Sequence, residues 1–318
     1  MVEQNKKMMN RKMRHIIYGI GLFLLLPAAS CTERTLEVRP DPVPIRLYAG
    51  IRTRALVDAF EATPVNIACG LSSGGYAERW DGVATAGEIR LVPERYYPDD
   101  GSRLYLRGYY PPAPFAADGT LTYTLTGDED LLLSDEQSAS LSSPFTDGGA
   151  GRLMYSHLLV KLNFMIQMED GNTSSLRVRA LTLNGLASRV TLALSTGALS
   201  YGSSTTSVVI YSAPDGSEGL PFVDDMLQFP GYVLVQPRAD FTLDMVLSID
   251  NDRSHDLVYE ALPIIFEGGT GEGGTAYTVH VKSPVPTFPD PLPVRVIASV
   301  VPWHVGDSGS GNIPGWER

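Results

Sequence analysis

Met154-Tyr155-Ser156-His157-Leu158-Leu159-Val160-Lys161-Leu162-Asn163-Phe164-Met165-Ile166-Gln167-Met168 is the stretch that decides the fold. Positions 158, 160, 162, 164, 166 and 168 are all apolar, and the other face carries Lys161, Asn163 and Gln167. Successive side chains of a strand point to opposite faces, so a period of two describes a long strand with one face in a core and one toward water. This strand is expected over about 156–168. The same alternation returns in Phe241, Leu243, Met245, Leu247 and Ile249, and again in Leu292, Val294, Val296, Ala298 and Val300. Shorter candidate strands lie at 88–92, 103–110, 120–126, 176–183, 188–194, 206–211, 231–236, 257–266 and 275–281.

Turn chemistry separates these runs: Asp99-Asp100-Gly101, Asp118-Gly119, Asp147-Gly148-Gly149, Glu169-Asp170-Gly171-Asn172 and Asp215-Gly216. Gly supplies a positive φ at no steric cost, and Asp and Asn bond to their own backbone. No long amphipathic helix interrupts the series. Many short strands at regular spacing predict an all-β chain of antiparallel sandwiches. Its length suits two domains. The boundary is expected in the low-complexity stretch Ser134–Ala150, which offers few apolar side chains. This gives an N-terminal domain over 45–151 and a C-terminal domain over 152–318.

Upstream of the strands, Lys6, Lys7, Arg11, Lys12 and Arg14 precede an apolar run from Ile16 to Pro27, followed by Ala28-Ala29-Ser30-Cys31. That run is shorter than the roughly 20 residues a spanning helix needs. A charged start, a short apolar core and small residues before the cut describe a signal peptide over 1–30. A cysteine directly after Ala-Ala-Ser resembles the lipobox of bacterial lipoproteins, which implies acylation of Cys31 and a lipid anchor in the outer membrane. Two or three acyl chains hold a protein on a membrane far more firmly than one. Residues 31–44, with Arg39-Pro40-Asp41-Pro42-Val43-Pro44, read as an extended tether.

The chain of 318 residues has a formal net charge of −11. Without residues 1–30 it keeps 20 basic and 35 acidic residues, near −15. Such a surface repels phosphate backbones, so no nucleic-acid partner is expected. There are two cysteines. With Cys31 acylated, Cys69 has no partner and reads as a small buried hydrophobe.

Several segments resemble chemical motifs without their context. Gly269-Thr270-Gly271-Glu272-Gly273-Gly274 contains a G-x-G-x-x-G pattern, but Ala276–Val281 after it reads as a strand, where a dinucleotide site needs a helix. Gly306-Asp307-Ser308-Gly309 resembles a serine-protease nucleophile segment with no matching histidine motif. Asp250-Asn251-Asp252-Arg253-Ser254-His255-Asp256 starts like a calcium loop, yet has His255 at the sixth position and Ala261 at the twelfth. No catalytic, cofactor-binding or metal-ligating residues are expected. Trp80, Trp303 and Trp316 are expected in core or turn packing.

Taken together these segments resemble the fimbrillins of the Bacteroidales, the subunits of type V pili and their fimbrillin-like relatives. The resemblance rests on Ala28–Cys31; on Ile51-Arg52-Thr53-Arg54-Ala55; on Tyr109-Tyr110-Pro111 with Asp130-Leu131-Leu132; and on Met154–Phe164, which is similar to the family's F-x-H-x-L-x-K-L-x-F signature. The closing strand into Val300-Val301-Pro302-Trp303 is also similar. The resemblance implies two tandem transthyretin-like β-sandwich domains and a structural rather than catalytic role, with His157 at a strand start. It further implies that a trypsin-like Arg-specific protease removes a first strand, and that other pilus subunits then associate by strand exchange. The bonds after Arg46 and Arg54 are the favoured cuts, the latter making Ala55 the new N-terminus. The alternative is an uncut outer-membrane β-sandwich lipoprotein, a pilus anchor or a glycan- or peptide-binding protein. The tail beyond Trp303 has no alternating run, so segment 292–301 is the remaining candidate donor.

Overall fold

The computed structural model describes residues 41–52, 60–148, 152–169, 173, 175–238, 240–250, 252–286 and 294–301. These residues are almost entirely strand and turn, with one 3-10 turn at Arg253–His255. Strands are numbered along the chain.

The first sheet has eight strands: β1 (Leu47–Arg52), β2 (Thr63–Gly70), β3 (Glu78–Thr85), β4 (Glu88–Val92), β5 (Leu104–Tyr110), β7 (Leu132–Ser134), β8 (Gln137–Ala139) and β9 (Arg152–His157). Their order is β2-β3-β4-β1-β9-β7-β5-β8, and a further β2–β5 ladder closes the circuit. The second sheet contains β10 (Val160–Glu169), β16 (Met226–Gln228), β17 (Val233–Val235), β20 (Ile265–Phe266), β21 (Ala276–Pro284) and β22 (Arg295–Val301), with β10 and β21 at its centre. The third holds β14 (Thr205–Ser212), β11 (Arg177–Ala187), β18 (Thr242–Ser248) and β19 (Leu257–Pro263) in that order, with β15 (Leu220–Pro221) also on β11. The fourth is β13 (Leu199–Tyr201), β12 (Arg189–Ala193) and β6 (Thr120–Thr124).

Two large cores lie within these sheets. One gathers Ile45, Leu47, Val65, Ile67, Leu106 and Tyr155 inside the first sheet. The other packs the inner faces of the second and third sheets, with Phe164, Leu181, Leu243, Met245, Tyr277 and Val279 among its members. A smaller cluster joins Ala68, Tyr76, Tyr109, Leu121 and Leu133 to Leu192 and Leu194. The β6–β12 ladder runs beside it from Thr120↔Ala193 to Thr124↔Arg189. Arg107 reaches across too, donating from Nη1 to the carbonyl oxygens of Leu194 (2.6 Å) and Ser195 (2.9 Å).

Four expectations are corrected. Most ladders are antiparallel, but β1–β9, β10–β21 and β20–β22 are parallel, because those partners are brought together by long crossovers rather than hairpins. The stretch expected as one strand over 156–168 is two. Residues 158 and 159 break it, with β9 in the first sheet and β10 in the second. The apolar phase slips there: Leu153 and Tyr155 face the first core, Leu162, Phe164 and Ile166 the second. Third, Ser134–Ala150 was expected to be poorly anchored, yet β8 pairs with β5 and Phe145 is buried against Tyr97, with ring centroids 6.1 Å apart. Lys161, expected on the wet face, is buried, its Nζ 4.3 Å above the Tyr232 ring.

Candidate functional site

The strand that the resemblance marks as removable, β1, lies inside the first sheet rather than at an edge. Its alternation places Ile45, Leu47 and Ala49 in the core, while Arg46 and Arg52 are exposed. Burying two large aliphatic side chains contributes roughly 3–6 kcal/mol of transfer free energy. On one side β1 runs parallel to β9 over five positions, Tyr48↔Arg152 to Arg52↔Ser156. On the other it meets β4 antiparallel at two only, Leu47↔Ile89 and Tyr48↔Glu88.

The Met154 side chain lies over Gly50, where a Cβ would fall 2.7 Å from its Sδ. Below Leu47 the strands splay. A cleft of about 590 Å³ opens between Ile45–Tyr48 and Glu88–Glu94. Upstream of β1 the chain is held by Ile45 N–H donating to the Arg95 carbonyl (2.7 Å) and Tyr97 N–H donating to the Val43 carbonyl (3.1 Å). At the other end Arg52 ion-pairs with Asp135, and its Nη1 lies 3.4 Å from Asp135 Oδ1.

The signature residues frame this seat. His157 Nδ1 sits 3.0 Å from Asp130 Oδ1, joining the Met154–Phe164 and Asp130-Leu131-Leu132 segments. The β7–β9 ladder pairs Leu132 with His157, and Leu158 N–H donates to the Leu131 carbonyl at 2.9 Å. Tyr109 is fully buried and donates to the Ala113 carbonyl at 2.7 Å. These residues therefore lock the strand beside β1 in position.

Of the sequence-predicted site residues, Arg46 lies just before β1 and is exposed. Cys31, Arg54 and Ala55 lie outside the described residues, as do Gly306–Gly309, Trp303 and Trp316. Sequence reasoning missed Asp135 and the cleft wall formed by Glu88–Glu94, because each acts through a partner distant in the chain. Cys69 is buried and free. Burial pushes its thiol up to about 12, Glu78 adding to the effect and Arg95 opposing it. Trp80 is a core residue whose Nε1 donates to Glu78 Oε2 at 2.9 Å. The glycine-rich segment 269–274 is a loop that runs into β21. The 250–256 segment is a turn in which Ser254 N–H donates to Asp252 and His255 pairs with Asp250. Among the described residues no group of three or more His, Cys, Asp or Glu is placed to hold a metal ion.

The sequence profile of the fimbrillin-like family matches residues 53–288. The chain belongs to the fimbrillin-like family. Two solved structures show the fold of this fimbrillin-like chain at low identity. One is a candidate cell adhesion protein from Bacteroides uniformis, with TM-score 0.55 and 16% identity, covering 82% of this chain and 99% of the other. The other is a candidate cell adhesion protein from Bacteroides ovatus, with TM-score 0.52 and 15% identity, covering 84% of this chain and 99% of the other. No curated protein sequence matches the chain at a significant level.

Proposed function

We propose that this fimbrillin-like chain is a fimbrial subunit, exported as a lipoprotein on acylated Cys31 and assembled by protease-triggered strand exchange. Two transthyretin-like sandwiches, 45–151 and 152–318, form its body. A trypsin-like Arg-specific protease at the outer membrane cuts after Arg54, leaving Ala55 as the new N-terminus and releasing β1. A strand from a neighbouring subunit then takes its place.

One observation carries this reading: β1 is a central strand whose loss would open an apolar slot between β4 and β9. Such a slot loses both burial and ladder hydrogen bonds, and an added strand restores both. The short β1–β4 ladder and the cleft beside it offer an incoming strand a place to start. A cut after Arg46 would leave all of β1 seated, so Arg54 is the effective site. No catalytic function is included, and the proposed partners are pilus subunits at the cell surface.

One observation favours the alternative of an uncut anchor. The expected donor segment is tied into its own sheet, with β22 paired to β21 over seven positions and its Val296 and Ala298 buried. Such a chain accepts a strand or stays uncut more readily than it donates one.

The test is limited trypsin trimming followed by N-terminal sequencing and size exclusion, with Arg46, Arg52 and Arg54 all replaced by Ala as control. Trimmed protein starting at Ala55 should oligomerise, while the intact chain and the triple-Ala control stay smaller. A trimmed chain that remains a stable monomer, together with acylated Cys31 as the mature N-terminus in cells, would favour the uncut anchor.

A further inference from the structure

The third sheet ends in two edge strands that differ in charge and in proline. At one edge, β19 carries Glu260, ends in Pro263 and has Ala261 in the left-handed region at φ 54°. Charge, proline and local distortion are the devices by which proteins keep an edge from pairing with another chain. At the other edge, β14 reads Thr-Thr-Ser-Val-Val-Ile-Tyr-Ser, with no charge, no proline and no glycine; its ladder with β11 skips Ile210, and the run Thr205–Val209 before that bulge is the part left plain. It is the longest edge strand among the described residues, at eight residues, and β11 is its one strand partner there. Elsewhere the edges are shorter: β6 has five residues, β8, β13, β16 and β17 three each, and β20 two.

We infer that β14 is a self-association edge, pairing antiparallel with β14 of a second copy. Charge selects the occupant. The chain carries 36 acidic and 25 basic residues, so two copies repel one another over most of their surface. From Val190 through Pro214 there is no charged side chain, and no register of β14 on itself sets like charges opposite each other. A basic partner would be drawn to the acidic surface and away from this strip.

Symmetry fixes the geometry. A two-fold axis normal to the sheet keeps both core faces on one side and closes the pair. It places a residue of β14 opposite itself, so the exposed residues Ser207 and Val209 lie on or next to the axis. Val209, 52% exposed, is the side chain that gains most from burial there. Stable interfaces bury roughly 800 Å² per partner, more than one strand edge supplies, so the association is weak and reversible. It uses neither β1 nor its seat and does not rest on the strand-exchange reading.

The experiment uses the uncut full chain with Cys31→Ala in nonionic detergent, so that β1 stays seated and Cys69, buried with its thiol pushed up to about 12, is the one native cysteine. Sedimentation equilibrium should show a concentration-dependent dimer, weakened at least tenfold by Val209→Lys. Under mild oxidation, Ser207→Cys or Val209→Cys should give a disulfide-linked dimer, and Val258→Cys on β19 should not. A monomer at every concentration, a dimer unchanged by Val209→Lys, or equal cross-linking through Val258→Cys would overturn the inference.

Discussion

The first and third sheets solve the edge problem in opposite ways. In the first, the ladder path from β2 to β5 closes on itself, and the three-residue β8 is its one short extension. In the third, β14 and β19 both end the sheet, and β14 has neither charge nor proline to guard it. A closed circuit accepts a foreign strand only by giving one up, whereas an open sheet accepts one by addition. Exchange at β1, as proposed, therefore follows a cut. Addition needs none and is limited by affinity.

The comparison can be broken most sharply at the buried face of β1. Leu47 is 2% exposed within the first core. Leu47→Ala should cost about 2–5 kcal/mol, the usual toll of a buried large-to-small change, read as a shift in the denaturation midpoint. If the circuit holds β1 by ladders alone, the loss will be under about 1 kcal/mol.

A smaller effect should appear at Glu136, which ties the β7–β8 turn to the Ser73–Gly74 turn. Its carboxylate accepts from Ser73 Oγ (2.6 Å), Gly74 N–H (2.8 Å) and Tyr76 Oη (2.6 Å). Burial by itself would raise its pKa, but these hydrogen bonds and the nearby Arg107 outweigh that and hold it below the ordinary carboxylate value. A depressed carboxylate stabilises the fold above its unfolded pKa, and that contribution is lost as pH falls through the folded one. Glu136→Gln should cost about 1–2 kcal/mol near neutral pH and flatten the fall in stability between roughly pH 5 and pH 3, measured as Tm against pH. An unchanged acid limb would show that other carboxylates govern it.

The smallest effect is expected where β1 meets solvent. The Arg52–Asp135 pair is half-exposed on both sides, and exposed pairs contribute about 0–1 kcal/mol. Arg52→Ala should leave the midpoint within that range and leave any trimming after Arg54 intact. A larger loss would mean that the pair, rather than the apolar face, holds β1 in the circuit.

Strands with one wet face were legible, because burial of alternate residues writes a period of two into the chain. Thus β4, β5, β10, β11, β18 and β21 lie where alternation expected them, within a few residues. Nothing of that kind marked β2. From Val65 to Gly70 every residue is buried, since Ile67 faces the first core and Ala68 the joining cluster. A strand covered on both faces has no alternation to read. Pro64 and Gly70, both within β2, are residue types that strands disfavour.

By itself, then, the sequence determined the all-β class, the punctuation by Gly and Asp and the acidic balance of the surface, because each is local or additive. The tertiary structure alone decided that β1 runs parallel to β9, that the Met154–Met168 run breaks at 158–159 to serve two cores, that His157 meets Asp130, and that β14 is left as an open edge. Those outcomes depend on which distant segment arrives beside each strand. A strand's own side chains set which face is buried, but its backbone hydrogen bonds are identical for every candidate neighbour, so only the packing of the whole chain can choose among them.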